Sequence, residues 1–175
     1  MVLITLLRHA PLALEYQKRY IGHSDIDIDL SITDISKLDT IKTREYDYIF
    51  SSDLKRCTQT LDLLDLNYTK DFRLREIEFK DEFEGKNFSE LESLDSFDIK
   101  HLSSMKTWHA YIAKESIKDF ENRVRSFLNE LPKNADILIC SHGGTIKMIH
   151  SILDNQDYHN NLLKVNYIEP IDLVL

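Results

Sequence analysis

Ile137-Leu138-Ile139-Cys140-Ser141-His142-Gly143-Gly144 passes within one short stretch from an unbroken apolar run to a polar tip and two glycines. Beyond it, Ile146, Ile149, Ile152 and Leu153 recur at helical spacing. A short continuous apolar run suits a strand buried on both faces, and the period that follows is that of an amphipathic helix, so the stretch is one strand-to-helix unit. Working outward, Val2 to Leu7 is a second such run and ends at Arg8-His9. Tyr46 to Phe50 is a third and ends at Ser51-Ser52, and Ile168 to Leu175 is a weaker fourth. Asp53 is placed to cap a helix with Leu54, Cys57, Leu61 and Leu64 on one face. Ile117, Phe120, Val124, Phe127, Leu128 and Leu131 predict another, with Pro132 just past its end. Strands alternating with helices predict an α/β fold: a three-layer sandwich with a mostly parallel central sheet and helices on both faces.

The 175 residues carry no repeat and no Pro/Gly/Ser linker, which predicts a single domain over 1–175. Residues 81 to 111 are less regular and are expected to form a helical flap over the site. Lys and Arg number 22 against 30 Asp and Glu, a net charge of −8 spread along the chain, so nucleic acid is not an expected partner. The opening apolar run breaks at Arg8-His9, too short for a signal core or a membrane span. Cys57 and Cys140 lie in apolar surroundings without CxxC spacing, which suits reduced, buried thiols in a cytoplasmic protein. With only four glycines, GxGxxG, the Walker A loop and GxSxG are all absent, as is HExxH.

In such a fold, ligands bind beyond the carboxyl ends of the strands. Arg8-His9, Ser51-Ser52 and Ser141-His142-Gly143-Gly144 all converge on that rim, with Arg56 one turn into the helix after the second strand. Two arginines, two histidines and a helix N-terminus describe a pocket for a phosphoryl group held without metal or cofactor. His101 and His109 have no neighbours at metal-ligand spacing. Trp108 suits packing better than a substrate platform.

These residues also carry a resemblance. Leu6-Leu7-Arg8-His9-Ala10 resembles the Arg-His-Gly signature of the histidine phosphatase superfamily, the phosphoglycerate-mutase-like fold. Arg19 to Asp25 is similar to the segment that follows it, Ser51 to Thr60 to the second-arginine motif, Leu74 to Phe79 to the acid motif, and Ser141 to Gly144 to the second-histidine motif. The resemblance implies His9 as nucleophile and Glu76 as proton donor, with His142 also in the catalytic set and Arg8, Arg56, His142 and Gly143 around the phosphate. His23 is a further candidate contact, and Glu78 and Glu82 are fallback donors. It departs from the pattern at Ala10, Pro11 and Glu15, and Lys80 to Gly85 holds one extra residue.

The implied activity is a metal-independent phosphomonoesterase acting on a small phosphorylated metabolite through phosphohistidine. Its features look closest to the alpha-ribazole phosphatases of cobalamin assembly. Two alternatives stay open, a protein phosphohistidine phosphatase and a non-catalytic phosphate-ligand sensor. Leu74-Arg75-Glu76 argues against the first, and Ala10, Pro11 and Glu15 keep the second. Oligomeric state is not readable from the sequence.

Overall fold

The computed structural model describes residues 3–174 and builds one five-stranded sheet. Its strands are β1 (Leu3–Arg8), β2 (Tyr48–Ser51), β3 (Thr69–Lys70), β4 (Asp136–Ser141) and β5 (Pro170–Val174), in the order β3-β2-β4-β1-β5. The pairs β1–β4, β2–β4 and β2–β3 are parallel, and β5 runs antiparallel to β1. The helices are α1 (Asp39–Lys42), α2 (Lys55–Asp62), α3 (Phe88–Glu92), α4 (Met105–Ile112), α5 (Ile117–Asn129) and α6 (Gly143–Leu153).

Successive side chains of a strand point to opposite faces, and here both faces are apolar. On one side, Ile4, Leu6, Ile137 and Ile139 pack against Phe120, Val124 and Phe127 of α5 and Ile146 and Ile149 of α6. On the other, Leu7, Leu138 and Cys140 meet Ile41 of α1 and Cys57 and Leu61 of α2. Each of these fully buried side chains contributes roughly 1.5–3 kcal/mol relative to exposure, which locks the register of the two central strands. That register sets Arg8 opposite Ser141 and Ser51 opposite Cys140, so three strand tips end at one level.

The expected strands and helices are found where the described residues allow comparison; Val2 and Leu175 lie outside them. Asp53, expected to cap α2, instead pairs with Arg75 through two bonds of 2.7 and 2.6 Å. Leu54 takes the cap position, and Asp25 from a distant loop accepts the Lys55 N–H at 2.6 Å. A bidentate ion pair competes successfully with a single cap bond, and the vacated end is capped in trans.

The short edge strand β3 carries no readable period. The antiparallel sense of β5 also has a topological consequence: the chain after α6 must climb back to the level of the strand tips before pairing with β1. That climb brings Val165 and Tyr167 to the Arg8 side chain and lets Ile168 N–H donate to the Arg8 carbonyl. Residues 81–111 hold α3, a 3-10 turn (Ile99–Ser103) and most of α4, gathered around Phe83, Leu91, Trp108 and Tyr111 with Tyr20 and Phe79 alongside.

Candidate active site

A cleft of about 190 Å³ opens over the strand tips, and Arg8, His9, Arg56, Glu76, His142 and Tyr167 line it. His9 follows directly on β1 and is buried. Its Nδ1–H donates to the Ala10 carbonyl at 2.7 Å, which leaves the lone pair on Nε2. Burial, and then the charges of Arg56 and Arg8, hold the imidazole well below the ordinary histidine range, so it is neutral at pH 7. Ala10 in place of glycine fits, because positive φ occurs among the described non-glycine residues only at Lys18, Asp65, Asn134, Asn155 and Ile168.

Arg8 donates through Nη1 to the Val165 carbonyl and lies 3.8 Å over the Tyr167 ring. Its Nε is buried without a hydrogen-bond partner among the described residues. A guanidinium N–H left unanswered inside a cleft is costly unless an anion takes it.

Arg56, on the first turn of α2, is almost wholly buried and held on three sides. Its Nη1 and Nη2 donate to the Ser24 and Gly22 carbonyls, and its Nε donates to His142 Nδ1 at 3.0 Å. The Gly22–Ser24 loop is fixed in turn by Glu84, whose carboxylate accepts from both amides. Gly22 is required there, since a Cβ would stand 2.5 Å from the Ile77 carbonyl.

His142 precedes α6 and lies 5.2 Å from His9, ring to ring. With Nδ1 accepting from Arg56, Nε2 carries the hydrogen and donates to Ser52 Oγ at 2.8 Å. Both ring nitrogens are therefore engaged by protein, and direct contact with a phosphoryl group requires the ring to leave one partner. The sequence also suggested a free helix start at Gly143-Gly144. The Gly144 N–H instead donates to the Glu76 carboxylate at 2.9 Å, so the anion at that helix end is Glu76 itself. Gly143 stands against the Arg8 guanidinium.

Glu76 sits in a loop with no regular structure of its own. Ser141 Oγ donates to the Leu74 carbonyl, Thr145 Oγ1 to Arg75, and Arg123 from α5 to the carbonyls of Arg73, Arg75 and Glu76. His23 Nε2 donates to the Glu76 carbonyl at 2.9 Å. His23 thus holds the acid loop and, unlike the substrate contact the sequence offers, does not line the cleft. Glu78 pairs with Lys114 at 2.8 Å and Glu82 is exposed, which leaves Glu76 as the one of these three acids in the cleft wall. Glu15 is exposed on a 3-10 turn and does not line the cleft, whereas its neighbour Tyr16 does. Ser52 and Tyr167 are site residues whose parts the sequence did not signal. Among the described residues, no three His, Cys, Asp or Glu side chains are placed to hold a metal ion, and no helix is long and apolar enough to cross a membrane.

The chain matches the family model of the histidine phosphatase superfamily, branch 1, over residues 4–166, and it belongs to that superfamily. A curated protein of Hydrogenobacter thermophilus named "Putative phosphoserine phosphatase 2" is 34% identical over 160 residues, covering 85% of this chain and 76% of its own. Two solved structures below 25% identity share the fold. An Escherichia coli protein named "putative alpha-ribazole-5'-P phosphatase" is 18% identical with a TM-score of 0.76, covering 99% of this chain and 95% of its own. A mycobacterial glucosyl-3-phosphoglycerate phosphatase is 21% identical with a TM-score of 0.73, covering 90% and 82%.

The neutral burial of His9 and His142 has a consequence for stability. Burial is the leading cause of both depressions, so the folded chain refuses protons that the unfolded imidazoles accept near pH 6.5. Stability present above pH 6.5 is therefore lost as pH falls toward the folded values, by up to about 1.4 kcal/mol per pH unit for each histidine. Carboxylates held below their ordinary range act only at lower pH, so the window from 6.5 to 5 belongs to the histidines. Urea unfolding at pH 7.5 and 5.5 should show a clear drop in midpoint, and a flat or rising midpoint contradicts neutral burial.

Proposed function

We propose that the protein hydrolyses phosphomonoesters of small alcohols through a phosphohistidine on His9. The observation that carries this reading is the neutral His9 ring, with Nδ1–H tied to the Ala10 carbonyl and the Nε2 lone pair free, beside the unpartnered Arg8 Nε. The Nε2 lone pair forms the bond to phosphorus while the bond from phosphorus to the alcohol oxygen breaks, and Glu76, protonated from solvent before this step, gives that oxygen its proton. Water then attacks the phosphohistidine, Glu76 takes a proton from it, and the P–N bond breaks to release inorganic phosphate. Arg8 and Arg56 answer the charge on the equatorial oxygens throughout.

Glu76 in the cleft favours an ester with a poor leaving group over a protein phosphohistidine. We propose a small phosphorylated metabolite as substrate, with alpha-ribazole 5'-phosphate and phosphoserine as named candidates from the relatives. Neither cofactor, nucleic acid nor membrane enters the proposal, and the two free thiols suit a cytoplasmic setting.

The test is release of inorganic phosphate from these two esters and p-nitrophenyl phosphate by purified protein after exhaustive EDTA treatment. Turnover that survives chelation supports the reading. Turnover lost to EDTA and restored by a divalent ion overturns the metal-independent mechanism, and tight phosphate binding without turnover identifies a sensor.

A further inference from the structure

Beside the cleft lies a second chamber of about 280 Å³ that shares Tyr20, Glu76 and Phe79 with it. Glu76 thus stands between a charged space that faces His9 and a space with largely apolar walls. Tyr20 meets Phe79 edge-on at 5.5 Å and Trp108 at 5.9 Å, and Trp108 Nε1 donates to the Tyr20 hydroxyl, so the aromatic wall is internally braced. His109 from α4 and His159 from the climbing loop also line this chamber. Their rings are 5.5 Å apart and nearly perpendicular.

Nε2 of each histidine is buried and has no hydrogen-bond partner. Of the four side-chain atoms in that condition among the described residues, one is Arg8 Nε in the phosphate cleft and two are these nitrogens. Three of the four unanswered groups therefore belong to residues that line two adjoining cavities. Buried nitrogens without partners are rare and ask for an explanation. A ligand spanning both cavities supplies one.

Resting on the phosphatase reading above, we propose that this chamber takes the alcohol half of the substrate. His109 and His159 there select an uncharged alcohol with a flat apolar body and an O–H or N–H donor. The backbone of Glu115 hydrogen-bonds the ring of His109, and His159 Nδ1 lies 3.9 Å from Asp157 Oδ1. Burial depresses both imidazoles, and a neutral ring that turns its N–H toward the Glu115 backbone or the Asp157 carboxylate presents its other nitrogen as an acceptor. A donor on the ligand matches two acceptors; a carboxylate does not. No Lys or Arg lines the chamber, so a carboxylated alcohol without an amine, such as glycolate, meets no cation there. Sites built to pair a substrate hydroxyl discriminate strongly against analogues that lack it.

The experiment compares 6-hydroxy-2-naphthyl phosphate with its 6-methoxy analogue, which keeps the ring and removes the donor. Wild-type kcat/KM should favour the hydroxyl ester by at least about tenfold, chiefly through KM, and should place 2-phosphoglycolate below both. His109→Phe/His159→Phe should bring the hydroxyl-to-methoxy ratio close to one, and the Gln pair, which keeps an acceptor near each Nε2, should restore part of it.

As a readout independent of turnover, (6-hydroxy-2-naphthyl)methylphosphonate should shift the Nε2 nitrogen resonances of His109 and His159 in wild-type protein. The methoxy analogue and inorganic phosphate should not. A wild-type ratio near one, a ratio unchanged in the Phe pair, or unshifted Nε2 resonances each overturn the subsite. Hydrolysis of neither naphthyl ester nor p-nitrophenyl phosphate defeats the phosphatase reading instead, and the resonance shifts still decide the subsite.

Discussion

His9→Ala is expected to lower kcat/KM for any phosphomonoester by about 10⁴-fold or more while the fold persists. The size follows from what is removed. Without the imidazole, phosphorus must be attacked by water in line with the leaving group, from the side opposite Glu76, where the carboxylate cannot take its proton. The fold should persist because the His9 ring supports little besides itself: its hydrogen bond is to the neighbouring Ala10 carbonyl, and the Ala10 amide is held separately by Thr60 Oγ1 at 2.8 Å. A loss on the order of 1 kcal/mol, or a few degrees in Tm, is the expected structural cost. Below pH 6.5 that cost should shrink, since one of the buried imidazoles that resist protonation is gone. Inorganic phosphate should still bind, because the Arg8 Nε that lacks a partner is untouched. Rapid-quench labelling of the wild type with a ³²P monoester should trap acid-labile label on His9 alone. Label on another residue, or a variant within tenfold of wild type, sinks the assignment.

The parts of this site that were legible in the sequence are those that follow a fully buried strand. β1 and β4 are apolar on both faces, so their runs are continuous, and the residues where each run stops, Arg8-His9 and Ser141-His142, are forced to the rim by the sheet itself. What was not legible depends on groups far apart in sequence choosing among partners. Asp53 has the type and place of a helix cap, yet Arg75 offers it two charged bonds, and Asp25 does the capping. Gly144 has the type and place of a phosphate ligand, yet the Glu76 carboxylate takes its N–H. His23 looked like a loop group open to substrate and is a clamp on the Glu76 carbonyl. His109 had no neighbour at useful spacing because its neighbour, His159, arrives only through the loop that climbs to β5, and the antiparallel sense of β5 leaves no local trace. Local pattern determines which element a residue joins. It does not determine which of several satisfactory partners a side chain takes.

Glu76→Gln should separate two roles that the geometry gives one carboxylate. Glu76 accepts from Gly144 N–H through Oε2 and from its neighbour Ile77 N–H through Oε1 at 3.0 Å. Glutamine can accept at only one of these positions, so one backbone N–H loses its partner and the side chain turns or shifts. That structural effect acts on every substrate alike. Proton donation does not, because its value depends on the leaving group: an alkoxide leaves far less readily than an activated aryl oxide. Protonation of an alkyl leaving oxygen is worth on the order of 10²–10⁴ in rate, and of p-nitrophenoxide very little. Glu76→Gln is therefore expected to slow an alkyl phosphate by about 10²-fold or more beyond its effect on p-nitrophenyl phosphate, whereas Glu78→Gln and Glu82→Gln should change both substrates little. Gly144→Ala provides the complementary case, since its Cβ would collide with Glu76 Oε1, displacing the carboxylate without altering its chemistry. It should slow the alkyl ester more than the aryl ester, in the same direction as Glu76→Gln. Equal slowing of both esters by Glu76→Gln would show that the carboxylate only positions the helix start, and the differential pattern in Glu82→Gln would move the donor to that residue.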